Sequence, residues 1–241
     1  MRNMKAGRIP GFPEKFPVRD DDRKSLRYAL VSLLCRAFLR TIFGGQLRID
    51  GGERLPKQGP VVVVCNHLSN LDPLIFGGFS ARPMFCMTKR ELFRPRFAAW
   101  MLGGCNCFPV DRGAADRGAL RMALDVLARR GRLLIFVEGT RAAVPGMKRA
   151  ETGVGFLVRR GGAPVQPVAV WGSERALRRG RLLPRRVDVH VRWGDVIPLD
   201  ELTHEQRRDD RALADAVAAR IAELLPPEYR GVYSRPPPPS G

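Results

Sequence analysis

The sequence predicts an α/β fold: a single domain over residues 46–225 with a mixed, mostly parallel sheet flanked by helices. Three observations point there. Short apolar runs at 60–65, 84–88, 106–110, 132–137 and 164–170 alternate with helical patterns, which is the signature of strand–helix–strand units. Runs such as Val61-Val62-Val63-Val64-Cys65 are continuous rather than alternating, as in strands buried on both faces. Two runs also lead straight into polar segments, 66–72 and 138–141, at the sheet edge where open α/β sheets bind ligands.

Taken in order, residues 1–22 are polar, charged and proline-containing, with no apolar stretch before a cleavage site, and read as a disordered lead. Residues 23–45 hold the most hydrophobic helical pattern, read as a membrane-associated helix. At 100° per residue, Ser25, Ser32 and Arg36 share a narrow polar stripe with Arg40 beside it. Leu26, Leu30, Leu33, Leu34, Ala37 and Phe38 cover the opposite side, extended by Val31, Cys35 and Leu39. Such a helix reaches about 28 Å, close to a hydrocarbon core's width. Arg27, Arg36 and Arg40 would each cost roughly 2.5–3.5 kcal/mol near a bilayer centre, so lying in one leaflet is cheaper than spanning it. The competing reading packs this helix on the domain's own core.

Within the domain, a helix over 114–130 carries Leu120, Ala123, Leu124 and Leu127 on one face, with Gly131 as its stop. Pro167 interrupts a strand pattern, which ordinarily marks an edge or a bulge. Residues 187–193 alternate as a more exposed strand. Thr203-His204-Glu205-Gln206 has the form of a capping box opening one last helix, whose inward face is Leu213, Ala216, Val217, Ile221, Leu224 and Leu225. Pro226-Pro227 ends it, and 226–241 reads as a flexible proline-rich tail.

A domain of this size needs no staple, and the five cysteines, without any Cys-x-x-Cys pair, fit buried thiols in a reducing compartment. Cys105-Asn106-Cys107 lacks the second ligand pair a metal site needs. The formal charge of +18, from 42 basic against 24 acidic residues, calls for anionic partners: nucleic acid, an acidic membrane surface or phosphorylated substrates. Arg175, Arg178, Arg179, Arg181, Arg185 and Arg186 form a basic run that fits anionic headgroups. No aromatics interleave with it, which argues against nucleic acid.

In Asn66-His67-Leu68-Ser69-Asn70-Leu71-Asp72, a histidine at a strand end precedes an acid five residues on. Taken singly, His67 reads as a core histidine, and Asp72-Pro73 as an N-cap followed by proline in the first turn. An N-cap acid there also lies close enough to bond the ring and fix its tautomer. Phe136-Val137-Glu138-Gly139-Thr140-Arg141 places a carboxylate, a glycine, a hydroxyl and a guanidinium after a strand. Phe108-Pro109-Val110-Asp111-Arg112 and Val165-Gln166-Pro167-Val168 complete the set.

In order and spacing, these four segments resemble the glycerolipid acyltransferase family that includes the 1-acylglycerol-3-phosphate acyltransferases. Lys89-Arg90-Glu91-Leu92 and Asp195-Val196-Ile197-Pro198 are also similar, and the resemblance covers roughly 46–200. Val137 stands where the family has Pro, and Ala142 where it has Ser, departures that bear on the acceptor rather than the reaction class. The resemblance implies acyl transfer from a coenzyme A or carrier-protein thioester to a hydroxyl of a phosphorylated lysolipid, with no metal or permanent cofactor. It implies His67 as base, Asp72 as its support, and Arg112, Glu138, Gly139, Thr140 and Arg141 at the acceptor, with Glu138 fixing either this loop or the acceptor. It also implies work at the cytoplasmic face of a membrane bearing anionic lipids. Rival readings are the same chemistry on another lysolipid, a covalent route through Cys65, or a non-catalytic binder of anionic lipid or nucleic acid.

Overall fold

The computed structural model describes residues 25–111, 116–142, 146–177, 181 and 183–234. The lead expected at 1–22, Arg112, Arg178, Arg179 and residues 235–241 lie outside them. Seven strands form one sheet: β1 Leu47–Asp50, β2 Val61–Cys65, β3 Phe85–Lys89, β4 Cys107–Val110, β5 Arg132–Phe136, β6 Val165–Trp171 and β7 Val189–Trp193. Their order is β1-β7-β6-β2-β5-β3-β4, parallel throughout except for the β6–β7 pair. The mostly parallel sheet is as the apolar runs predicted. β1 was not anticipated, because its alternating burial lacks a continuous apolar run.

Eight helices flank the sheet among the described residues: α1 Leu26–Phe43, α2 Asp72–Phe79, α3 Arg96–Gly104, α4 Arg117–Ala128, α5 Thr152–Gly161, α6 Ser173–Ala176, α7 His204–Arg208 and α8 Asp210–Leu224. Alternate residues of β2 face opposite layers. Val62 and Val64 pack with α4, α5 and α8, whereas Val61, Val63 and Cys65 pack with α1, α2 and α3. The helices that follow β2 and β5 therefore lie on opposite faces, although the two strands are neighbours. That divergence opens a crevice at their C-terminal ends, the topological switch point of an open sheet.

Pro167 sits in an interior strand, not at an edge. β6 pairs with β7 only from Val168 onward, and with Ile197 at Val165. Pro167 falls between these, where a missing N–H breaks no ladder. The last helix is two: Thr203 and Gln206 form the capping box of the short α7, and Asp209 caps α8 by accepting the Arg211 N–H.

The expected tail also differs. Residues 226–234 fold into two 3₁₀ turns, Pro227–Tyr229 and Gly231–Tyr233, docked on the domain, with Tyr229 buried.

α1 presents its polar stripe inward. Arg36 Nε donates to the Gly78 carbonyl of α2 at 2.9 Å and Ser32 Oγ donates to the same oxygen at 3.5 Å. Gly78 permits this approach, since a Cβ there would stand 3.1 Å from the Arg36 nitrogen. Val31, Cys35 and Leu39 are buried, while Leu26, Leu30, Leu33, Leu34 and Phe38 face outward, Leu26 at 92% and Leu33 at 61% exposure. Among the described residues, no helix is long and apolar enough to cross a membrane.

Candidate active site

β2 and β5 are parallel neighbours with Cys65 opposite Phe136, so the loops leaving them run side by side. Asn66 carries β2 one step further. Its side-chain amide donates to the Val170 carbonyl at 2.7 Å and its oxygen accepts the Val170 N–H at 2.8 Å, prolonging the ladder beyond Cys65 and Val168. Val137 likewise donates its N–H to the Cys65 carbonyl at 2.9 Å, a bond that proline at this position could not make. His67 is thereby held at the rim of the sheet.

The His67 ring lies with Nδ1 2.9 Å from Asp72 Oδ2. The same carboxylate oxygen accepts the N–H groups of Leu68 and Ser69, each at 2.8 Å. Asp72 is not an N-cap, as the sequence suggested. Leu71 holds that place, and Asp72 occupies the first turn with its carboxylate turned back onto the loop. The loop's two amides outcompete the helix's own as donors, yet the ring is reached as expected. With Nδ1–H given to the carboxylate, Nε2 retains its lone pair. Phe136 stacks on the imidazole with centroids 4.1 Å apart. His67 is also tied through its backbone: its N–H donates to Glu138 Oε1 at 3.1 Å, and its carbonyl accepts the Ala142 N–H at 2.9 Å.

Glu138 is turned onto the backbone and lies outside the cavity lining. Its second oxygen accepts the Lys148 N–H at 3.0 Å, so both oxygens hold backbone amides, and the residue is buried. Burial raises its pKa above the ordinary glutamate value despite those two bonds. Gly139 is required by the turn itself. Its φ is +64°, and a Cβ would come within 3.0 Å of the Glu151 side chain. Thr140 is exposed and lies outside the cavity lining.

Arg141 shares a cavity with His67. Both line a cavity of about 350 Å³ whose wall includes Leu74, Met87, Leu92 and Met101. Lys89 lines it too, a residue that the sequence reading quoted but gave no role. Its signal was position: a cation ending β3 on the edge where β2 and β5 also end. Arg90, its neighbour, is taken by Asp111 at 2.6 Å. Cys65 is fully buried beneath the α1, α2 and α3 layer and does not line the cavity, and burial followed by the nearby Asp72 and Glu138 charges pushes its thiol well above the usual range. The thiolate that a covalent route needs is therefore disfavoured.

A buried acid–imidazole pair beside two cations and an apolar pocket has the parts of a group-transfer site. The family model for acyltransferases matches residues 46–171, more than half of the chain and both loops of the site. The chain belongs to this acyltransferase family. A 1-acyl-sn-glycerol-3-phosphate acyltransferase of Bacillus subtilis is 26% identical over 79% of this chain and 94% of its own length. One from Chlamydomonas reinhardtii is 29% identical over 77% of this chain, and one from Pseudomonas aeruginosa 32% identical over 54%. The chain spans 55% and 51% of the length of those two relatives. The crystal structure of the 1-acyl-sn-glycerophosphate acyltransferase PlsC from Thermotoga maritima shares the fold, with a TM-score of 0.67 and 22% identity over 82% of this chain and 79% of that one.

Proposed function

We propose that this chain transfers a fatty acyl group from a thioester to the free hydroxyl of 1-acylglycerol-3-phosphate, giving phosphatidic acid. The observation that carries the reading is the 2.9 Å contact between His67 Nδ1 and Asp72, with the same imidazole and Arg141 lining one cavity. The names of the relatives from three organisms support the acceptor.

An alcohol is a weak nucleophile at neutral pH. His67 Nε2 takes its proton as the oxygen attacks the thioester carbonyl, and Asp72 stabilises the imidazolium that forms. Collapse of the tetrahedral adduct breaks the carbon–sulfur bond, and the imidazolium returns the proton to the departing thiolate. The ester forms, the thiol leaves, and His67 regains its starting state. Arg141 and Lys89 bind the acceptor's phosphate, Arg141 through its planar pair of donors. The apolar wall takes the acyl chain. In a panel of lysolipids with labelled acyl thioesters, we expect lysophosphatidic acid to be the best acceptor; faster turnover of an uncharged lysolipid would overturn the assignment. Replacing His67 with Ala abolishes transfer in a protein that still folds, and retained turnover rejects it as the base.

The reading includes monotopic attachment at the cytoplasmic face of the membrane. The outward leucines and Phe38 of α1 adjoin α3 through Arg27, which donates to the Trp100 carbonyl and lies over its ring. Phe97 and Trp100 are exposed beside it, and this segment also supplies Met101 to the cavity wall. An apolar face edged by arginines suits one leaflet with anionic headgroups. High salt alone should leave the protein on membranes and Leu33→Asp should release it; release by salt alone would show that charge, not insertion, holds it.

A further inference from the structure

The segment 226–234, anticipated as flexible, lies across residues 146–151 rather than on the sheet. Tyr229 accepts the Met147 N–H through its carbonyl at 3.0 Å, and Val232 donates its N–H to the Met147 carbonyl at 3.0 Å. Tyr233 Oη accepts the Ala150 N–H at 2.9 Å and donates to Asp215 Oδ1 at 2.9 Å. Burial pushes the Tyr233 pKa up to about 12. Tyr229 Oη donates to Glu174 Oε1 at 2.8 Å, anchoring the segment to α6. Between Met147 and Ala150 lies Lys148, whose N–H holds Glu138 Oε2, while Glu138 Oε1 holds the His67 N–H.

We propose that the segment 226–234 is a positioning element for His67, acting through Met147, Lys148 and Glu138. Three successive hydrogen bonds, at Met147, Lys148 and Glu138, link it to the His67 backbone N–H, and none of its residues lines the cavity. The 146–151 stretch is irregular, so the register of its Lys148 amide depends on partners elsewhere. The docked segment supplies three of them, and the Glu151 N–H adds a fourth on the Val137 carbonyl at 2.8 Å. Gly231 makes the docking possible. Its φ is +57°, and a Cβ would run into the Met147 backbone. A side chain here therefore forces the two strips apart without altering any group at the site.

The test is Gly231→Ala, with Tyr233→Phe as a second variant that removes one hydroxyl and keeps the half-buried ring. Val232→Ala is the control, since that side chain is exposed and its N–H remains. Each full-length protein is checked by thermal melting, assayed for acyl transfer, and examined by NMR with ¹⁵N-labelled histidine. The chain has three histidines, so the ring signals of His190 and His204 serve as internal references. We expect Gly231→Ala to lower kcat about ten-fold with KM for the acceptor unchanged, as misplacement of a catalytic group does. The His67 ring resonances should shift or broaden while the other two stay put. Tyr233→Phe should show the same pattern more weakly, and Val232→Ala none of it. If Gly231→Ala does not fold, Tyr233→Phe decides. Folded variants with wild-type kcat and an unmoved His67 signal overturn the proposal, as does a rise in KM with His67 unmoved. The proposal rests on His67 as the base, and the two fail differently. Retained transfer in His67→Ala removes the base, whereas an unmoved His67 signal in Gly231→Ala removes the coupling.

Discussion

The loops after β2 and β5 each bury a carboxylate, and the two carboxylates do different work. Asp72 gathers two backbone amides and the imidazole onto one oxygen. Glu138 gives one oxygen to the His67 N–H and the other to the Lys148 N–H, and it lies outside the cavity lining. Burial disfavours charge on Glu138, as the direction of its pKa shift shows. The difference teaches that an acid beside a catalytic histidine is defined by which atom it reaches. Asp72 reaches the ring and can respond to its protonation; Glu138 reaches only the backbone and can only place it.

Substitutions at three residues would break or sharpen that contrast. The largest effect belongs to Asp72→Asn, which keeps the shape but cannot support an imidazolium; kcat should fall about a hundred- to ten-thousand-fold with little change in KM. A drop below about three-fold would put Asp72 in the same supporting class as Glu138. Next comes Arg141→Ala, the one charged group of the second loop that faces the cavity. Loss of a charge-assisted bond of about 1.5–3 kcal/mol should raise acceptor KM by about ten-fold or more. Arg141→Lys should restore part of it as a point charge. An unchanged KM would leave the second loop wholly structural.

The smallest effect on turnover is expected for Glu138→Gln, about ten-fold in kcat, because one backbone amide then meets an NH₂ instead of an acceptor. A pH signature accompanies it. The folded protein holds the Glu138 proton more tightly than the unfolded chain does. This group's contribution is therefore fully present below the ordinary glutamate pKa and is lost as pH rises through the elevated one. Unfolding midpoints measured across that window should fall with pH in the wild type and more gently in Glu138→Gln. Parallel slopes would mean that Glu138 titrates normally.

Much of this arrangement was legible in the chain. The continuous run 61–65 and the run before Glu138 marked two buried strands, and the polar residues at their ends marked the site. The His67–Asp72 contact followed from a five-residue spacing, although the cap assigned to Asp72 did not hold. The parts that were missed share a cause. β1 shows only alternating, half-exposed burial, so it lacked an apolar run. The break between α7 and α8 at Asp209 turns on local capping, which periodicity does not register. Residues 226–234 looked mobile because proline and glycine are read as flexible, whereas here Gly231 permits a close backbone contact. Glu138 and Lys89 were in view as letters, but their partners come from segments distant in the chain.

α1 makes the same point on a larger scale. Its pattern specified a polar stripe and an apolar face, and left open whether that face meets the core or a membrane. In the folded chain the stripe turns toward Gly78 and the leucines turn out, because a glycine in α2 lets the helices approach on their polar side. By itself, then, the sequence determined the strands, the chemistry at their ends and the local spacing of base and acid, since these depend on residues a few positions apart. The tertiary structure alone decided which strands are neighbours, which backbone amides Glu138 holds, and which side of α1 is covered. Those outcomes depend on which backbone groups become each other's partners, and only the assembled sheet with its packed helices sets that.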